Sequence, residues 1–327
     1  MDWSNILVMD GGGRMNNEDL IDEFQLYQKS VDRSDWTIRS CNSTLNMFLE
    51  EIGDKDLTEI GIDELKEFFV YIKDRPGNNG RDTVSAETVR KHINNLASFY
   101  NYLEFEEYIT KSPVDKFRQK FLNPYLKSHQ SDGDKRQIVS VQEMRELIQC
   151  IMNPRDKAIC LTLAKTGIRA GELLELDVGD IKWDESKLRL KENNKRTNTI
   201  VFFDGETARG LKSWMNIRDG LANEDEDALF VTQYGNRMSH KSLIKMVKKY
   251  AKRVDLHDEN SKHMEDKFTP HCFRHWFTTE LRKSGMSREY IKELRGDTRS
   301  ETMDGYYHIT EEELKEEYLD HIPRLGV

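Results

Sequence analysis

The chain has 327 residues, 37% hydrophobic and 33% charged, with a formal net charge of −9. That length allows two domains of ordinary size, and the acidic balance excludes a surface coated in basic charge while leaving room for a local basic patch. The apolar runs are too short for a bilayer span, the start MDWSNILVMDGGG lacks the features of a signal peptide, and Cys41, Cys150, Cys160 and Cys272 lack metal-ligand spacing, so buried thiols in a reducing cytosol are expected.

Residues 1–17 are expected to be flexible, since Gly11-Gly12-Gly13 is followed by Asn16-Asn17. Helical periodicity begins near Glu18 and is predicted again over 37–52, 63–74 and 86–104. In the last of these, Val89, Ile93, Leu96, Tyr100 and Leu103 recur on one face. The four helices predict an all-α domain over 18–111. Residues 112–136 read as a basic connection: Lys116, Arg118, Lys120, Lys127, Lys135 and Arg136 face only Asp115, Asp132 and Asp134, and Ser131-Asp132-Gly133-Asp134 has linker composition. A second domain is predicted over 137–327. Ser140 and Glu143 form a capping box, and Asn153-Pro154 reads as the cap and first position of a helix that stops at Gly167. Then IKW, KLRLK and TIVFF, separated by DES and ENNKRTN, predict a small antiparallel sheet, after which helical patterns return. The expected fold class is mainly α with a small antiparallel β-sheet: an N-terminal four-helix domain followed by an α+β domain.

Four stretches of the second half carry residues suited to chemistry. In TPHCFRHWFTTEL, Thr269 and Pro270 open a helix, His271, Arg274 and His275 share its first turns, and Phe273, Phe277 and Leu281 form its apolar stripe. A helix N-terminus already favours anions, so His and Arg there suit a phosphate. In TGIRAGELLEL, Arg169 sits in a turn after Gly167, with Glu172 three residues on to brace the guanidinium for bidentate contact. ENNKRTNT places Lys195 at a hairpin tip, and GDTRSETMDGYYHI carries the adjacent Tyr306 and Tyr307. Taken singly, each has an ordinary explanation: a capped helix, a surface ion pair, a solvated turn lysine, and one buried and one exposed tyrosine.

The order of these stretches changes the weighing. Arg, Lys, His-x-x-Arg and Tyr follow one another within one domain, and over nearly its whole length the chain resembles the tyrosine recombinase (phage integrase) family. TGIRAGELLELDVGDI is similar to the family's first-arginine box and HCFRH to its His-x-x-Arg box. The resemblance implies catalytic roles for Arg169, Lys195, His271, Arg274 and Tyr306, with Glu172 beside the first arginine; Lys191 is the alternative register for the hairpin lysine, and Tyr307 the alternative nucleophile. Where the family usually has Leu-Gly-His, this chain has Leu294-Arg295-Gly296-Asp297, with Tyr306 nine residues after Asp297. An ionised Asp297 repels a phosphate, so it is expected to point away or be protonated, or His308 or Thr298 to supply the contact.

The resemblance further implies a C-shaped clamp of the two domains around duplex DNA. Backbone contacts are expected from Arg90 and Lys91, from Lys116, Arg118 and Lys120, and from Lys241, Lys245 and Lys248 in the acid-free segment 240–253. The implied reaction is DNA cleavage and rejoining through a 3′-phosphotyrosyl link, with no cofactor and no catalytic metal. Implied partners are double-stranded DNA with paired inverted sites and an accessory DNA-bending protein. The protein is expected to be a monomer when free and a homotetramer on DNA, with no membrane partner, in the cytoplasm of a prokaryotic or virus-infected cell. Segment 310–322, opening with a capping box, is expected to dock on a neighbouring subunit or on its own domain. An integrase of a mobile element or virus is the first expectation; a chromosome-dimer or plasmid resolvase, or a catalytically impaired DNA-binding relative, are the alternatives.

Overall fold

A computed structural model describes residues 15–77, 82–129, 137–192, 196–261, 263–297 and 309–327, and the chain divides into two units, Met1–Gly133 and Asp134–Val327. The first unit contains α1 (Asn17–Ser30), α2 (Asp35–Ile52), α3 (Ile62–Asp74) and α4 (Ala86–Phe105), within a few residues of the expected positions. Polar side-chain caps start α1, α2 and α4: Asp19 N–H donates to Asn16 Oδ1 at 2.9 Å, and Thr88 N–H to Ser85 Oγ at 3.2 Å. Phe24, Leu45, Phe48, Phe68, Ile93, Leu96 and Phe99 bury one face of each helix in a common core, with the Phe48 and Phe68 rings edge to face at 4.9 Å.

The basic connection expected over 112–136 is instead helical over much of its described part. It forms α5 (Pro113–Phe117), a π-helical turn (Arg118–Leu122) and α6 (Asn123–Ser128). Val114, Phe117 and Leu122 are buried in the first unit's core, and Phe69 meets Phe117 at 5.4 Å and Tyr125 at 5.2 Å. The charge count hid the apolar positions Val114, Phe117, Phe121 and Tyr125, which recur every three to four residues. The wide turn has a local cause: Pro124 has no N–H and crowds the preceding turn, and Asn123 N–H reaches back five residues to Arg118 O.

In the second unit, α7 (Val141–Gln149) opens with the expected box, Ser140 N–H donating to Glu143 Oε2 at 2.7 Å and Glu143 N–H to Ser140 Oγ at 3.1 Å. The next helix, α8 (Pro154–Thr166), is buried at every position from Ala158 onward, which matches its lack of a polar face. It packs against α10 (Gly205–Arg218) and α12 (Pro270–Lys283). Between α9 (Ala170–Glu175) and α10 lies the antiparallel sheet, β1 (Ile181–Lys182), β2 (Lys187–Arg189) and β3 (Ile200–Phe202), in sequence order. Ile181 pairs with Leu188 and Leu188 with Val201, three apolar side chains on the core face.

The remaining helices are α11 (His240–Arg253), α13 (Arg288–Arg295) and α14 (Glu311–His321). Leu314, Tyr318 and Ile322 of the α14 region join Phe277, Leu281 and Leu294 in one buried cluster, so this helix packs on its own unit. Segment 323–327 is tied to a buried ion cluster. Lys165, fully buried, donates to Asp204 Oδ2 at 2.7 Å, Glu206 Oε2 at 2.6 Å and Pro323 O at 2.5 Å. Glu206 in turn accepts from the N–H groups of Leu325, Gly326 and Val327. The four cysteines are free thiols; Cys41, Cys160 and Cys272 are buried and Cys150 partly so.

Candidate active site

The site begins where α8 ends. Gly167 takes a left-handed conformation (φ +61°) that only glycine adopts easily, and a Cβ there would lie 2.3 Å from the Phe277 ring. The chain then turns through Ile168 into Arg169, the N-cap of α9. Glu172 closes a small ring: its Oε2 accepts from Arg169 N–H at 2.7 Å and its Oε1 from Arg169 Nη1 at 2.9 Å. The bracing expected from the three-residue spacing is therefore present. Burial pushes the Glu172 carboxyl up, but the Arg196 charge and the N–H and guanidinium of Arg169 outweigh it and hold the group below the ordinary carboxylate range.

Arg274 projects from the second turn of α12, opposite this ring. Thr269 caps α12, Pro270 opens it, and Phe273, Phe277 and Leu281 are its buried stripe, as expected. The Arg274 guanidinium is buried and donates from Nη1 to Gly167 O at 2.8 Å and from Nη2 to Arg295 O at 3.0 Å. Burial, with Arg169 and Arg295 close by, brings it down to about 10, so it keeps its charge at neutral pH.

Asp297 does not point away. Its Oδ1 lies 2.9 Å from Arg274 Nη2 and 3.5 Å from Arg169 Nη2, and its Oδ2 lies 3.0 Å from Arg295 Nε, off the hydrogen-bond line. The two arginines expected to hold a phosphate converge instead on one carboxylate oxygen. Beside them, His271, Arg274, His275, Thr278, Thr279, Arg282, Lys283 and Arg295 line a cleft of 540 Å³. No acid is among these side chains, and His271 is exposed at the rim.

Arg196 is a site residue that the sequence did not reveal. It follows Lys195 in a polar turn, where solvation is the normal fate of an arginine, yet its side chain is 0% exposed. Its Nε donates to Asn198 O, its Nη1 to Glu172 Oε2 at 3.3 Å and to Arg295 O at 3.0 Å, and its Nη2 to Leu294 O at 2.9 Å. Thr197 and Asn198 add bonds to Gly296 O and Glu293 O, both at 3.3 Å. The reason is the end of α13, whose last carbonyls have no partner within the helix and whose dipole favours a cation. The strand-bound side of the turn supplies both.

Of the other expected site residues, Lys195, Tyr306, Tyr307, His308 and Thr298 lie outside the described residues. The alternative hairpin lysine, Lys191, is engaged elsewhere, 2.8 Å from Asp177 and 3.1 Å from Asp180. Among the expected DNA contacts, Lys241 and Lys245 are exposed on α11 and Lys248 is half-buried. Lys116 and Lys120 are exposed, with Arg118 half-buried, along α5 and the π-turn. Arg90 pairs with Glu87 at 2.6 Å, and Lys91 lies over the exposed Trp36 ring at 4.6 Å. Among the described residues no group of acids, histidines or cysteines could hold a metal ion, and no helix is long and apolar enough to cross a membrane.

Residues 137–313, just over half the chain, match the model of the phage integrase family. The chain belongs to the phage integrase family. It is a tyrosine recombinase, an enzyme that breaks and rejoins DNA. Among curated relatives, this family member is 27% identical to the tyrosine recombinase XerD of Oceanobacillus iheyensis over 303 residues, covering 89% of this chain and 93% of that one. It is 26% identical to the tyrosine recombinase XerC of Herpetosiphon aurantiacus over 284 residues, covering 84% and 85%. Among solved structures, it shares its fold with the Tn1549 transposon integrase in complex with circular intermediate DNA, at a TM-score of 0.68 and 19% identity, covering 93% of this chain and 99% of that one. A lambda integrase dimer bound to a COC′ core site gives a TM-score of 0.65 at 17% identity, covering 91% and 99%.

Proposed function

We propose that the protein is a site-specific DNA recombinase that cuts and rejoins strands through a 3′-phosphotyrosyl intermediate, with Tyr306 as nucleophile. The observation that carries this reading is the convergence of Arg169 and Arg274 on a single anionic oxygen, that of Asp297. A scissile phosphate would take that oxygen's place. The two guanidinium groups would then hold its non-bridging oxygens and stabilise the charge that grows in the transition state. Tyrosine ionises near pH 10, so its attack at neutral pH depends on such help. The phenol oxygen of Tyr306 bonds to phosphorus as the bond to the 5′ oxygen breaks. Lys195 donates the proton that the leaving oxygen needs, and His271, at the cleft rim, accepts or relays the phenol proton. The phosphotyrosyl bond keeps the energy of the broken phosphodiester, so rejoining to the 5′-hydroxyl of a partner strand needs no nucleotide. Such an exchange calls for paired inverted sites in duplex DNA and four protomers.

The backbone contacts in this reading come from Lys241, Lys245 and Lys248, from Lys116, Arg118 and Lys120, and from Arg90 and Lys91. Lambda integrase has been seen as a tetramer bound to a Holliday junction, which supports the four-protomer assembly proposed here. Integration or excision of a mobile element is one use of the chemistry. Resolution of chromosome or plasmid dimers is the second, favoured by the Xer names of the curated relatives. The test is a duplex nicked near the cleavage point, drawn from DNA flanking the gene. A covalent adduct is expected with the natural protein and none with Tyr306→Phe. Binding without an adduct on any flanking sequence would leave a DNA-binding protein that has lost catalysis.

A further inference from the structure

Two acceptors in the site are shared. Glu172 Oε2 accepts from Arg169 N–H at 2.7 Å and from Arg196 Nη1 at 3.3 Å. Arg295 O accepts from Arg274 Nη2 at 3.0 Å and from Arg196 Nη1 at 3.0 Å. For each of the phosphate-facing arginines, one group that orients it is thus held from behind by the same buried guanidinium. Arg196 itself faces no opening, since its side chain is 0% exposed and all three nitrogens are engaged.

Its neighbour Gly296 is fitted to it. Gly296 ends α13 in a left-handed conformation (φ +60°), and a Cβ there would lie 2.3 Å from Arg196 Cγ and 2.8 Å from its Nε. Placing the stem of Arg196 across this glycine requires that no side chain be present. The arrangement needs a flat fork that serves several acceptors at once, which lysine's single ammonium cannot reproduce.

We propose that Arg196 is a positioning residue for transition-state stabilisation: by fixing the Glu172 carboxylate and the Arg295 carbonyl, it sets the aim of Arg169 and Arg274. This rests on the phosphate-holding role of those two arginines proposed above. A bridge that only kept the unit folded would slow every substrate alike. A residue acting through the two arginines matters most where charge on the non-bridging oxygens must be stabilised.

The experiment measures the rate of covalent adduct formation on two versions of the nicked duplex. One has the normal phosphodiester at the cleavage point, and the other a neutral methylphosphonate there. Arg196→Gln is expected to lower the rate about 100-fold on the diester and less than about 5-fold on the methylphosphonate. Arg196→Lys keeps the charge and most of the stem, and Gly296→Ala displaces Arg196 without changing its chemistry; both are expected to show the same substrate-dependent pattern. They also carry the test if Arg196→Gln does not fold. Equal losses on both substrates, in variants that melt like the natural protein, would overturn the proposal. Arg169→Ala and Arg274→Ala are the control for the reading beneath it. If they too lose equally on both substrates, or if Tyr306→Phe still forms adduct, the phosphate reading fails and Arg196 has nothing to position.

Discussion

Asp297→Asn keeps the side chain's size and removes its charge. Asp297 Oδ1 sits 2.9 Å from Arg274 Nη2 and 3.5 Å from Arg169 Nη2, so a phosphate oxygen bound by both guanidinium groups must displace it. A carboxylate moved to about 6 Å from the phosphate repels it by about 3 kcal/mol at an effective permittivity near 20. The Asp297 side chain is 30% exposed, so water and salt reduce that figure. A net of about 1–2 kcal/mol remains, or roughly 5- to 30-fold in the DNA concentration that half-saturates adduct formation. The assay is the initial rate of adduct formation on the nicked duplex as a function of DNA concentration, at low and high salt. Asp297→Asn is expected to reach half-saturation at about tenfold less DNA, with a gain that shrinks as salt rises. Unchanged or weaker half-saturation would refute this reasoning and make the carboxylate a fixed part of the arginine scaffold rather than a stand-in for phosphate.

Gly167→Ala combines a strained φ of +61° with a Cβ 2.3 Å from the Phe277 ring, and Gly167 O is an acceptor for Arg274. It is expected to lower stability by about 2–4 kcal/mol in thermal melts and to slow adduct formation as well. Glu172 and Glu206 are held below their ordinary value near 4.5. For Glu206, burial pushes up, and Lys165 with the N–H groups of Leu325 and Gly326 pull down further. A depressed carboxyl stabilises the fold above its unfolded value and loses that contribution as pH falls through the folded one. The melting temperature of the second unit is therefore expected to fall below about pH 4.5, and less steeply in Glu206→Gln, although that variant starts lower by about 3–5 kcal/mol. Lys241→Ala and Lys245→Ala are each expected to reduce the slope of log affinity against log salt by about 1, without changing which sequence is preferred.

What the sequence made legible was local and periodic. The helices of the first unit, the capping box at Ser140, the stop at Gly167 and the strands around Leu188 and Val201 follow from nearest-neighbour geometry, and their positions match. The ring between Arg169 and Glu172 was legible for the same reason, since its partners are three residues apart. Where charge was read without apolar spacing, the reading failed: 113–128 is a helical stretch carrying Val114, Phe117 and Leu122 into a core. Long-range meetings were not legible. For Asp297 the sequence leaves open whether it points away, is protonated or is replaced by His308 or Thr298, because its charge is weighed there against a phosphate and not against the guanidinium groups that surround it. Arg196 gives no signal either, because apart from Asn198 its partners lie 24, 98 and 99 residues away in sequence.

The socket around Lys165 ties a segment distant in sequence to the helix that precedes the arginine turn. Glu206 takes three N–H donors, from Leu325, Gly326 and Val327, beside a buried ammonium, so a change that displaces residues 325–327 would leave its carboxylate short of partners. Lys165 stands one residue before the C-terminal end of α8, which leads through Gly167 to Arg169, the N-cap of α9, so a disturbance at residues 325–327 would loosen the turn that positions this arginine. Substitutions at residues 325–327 are thus expected to reach the arginine turn without touching it.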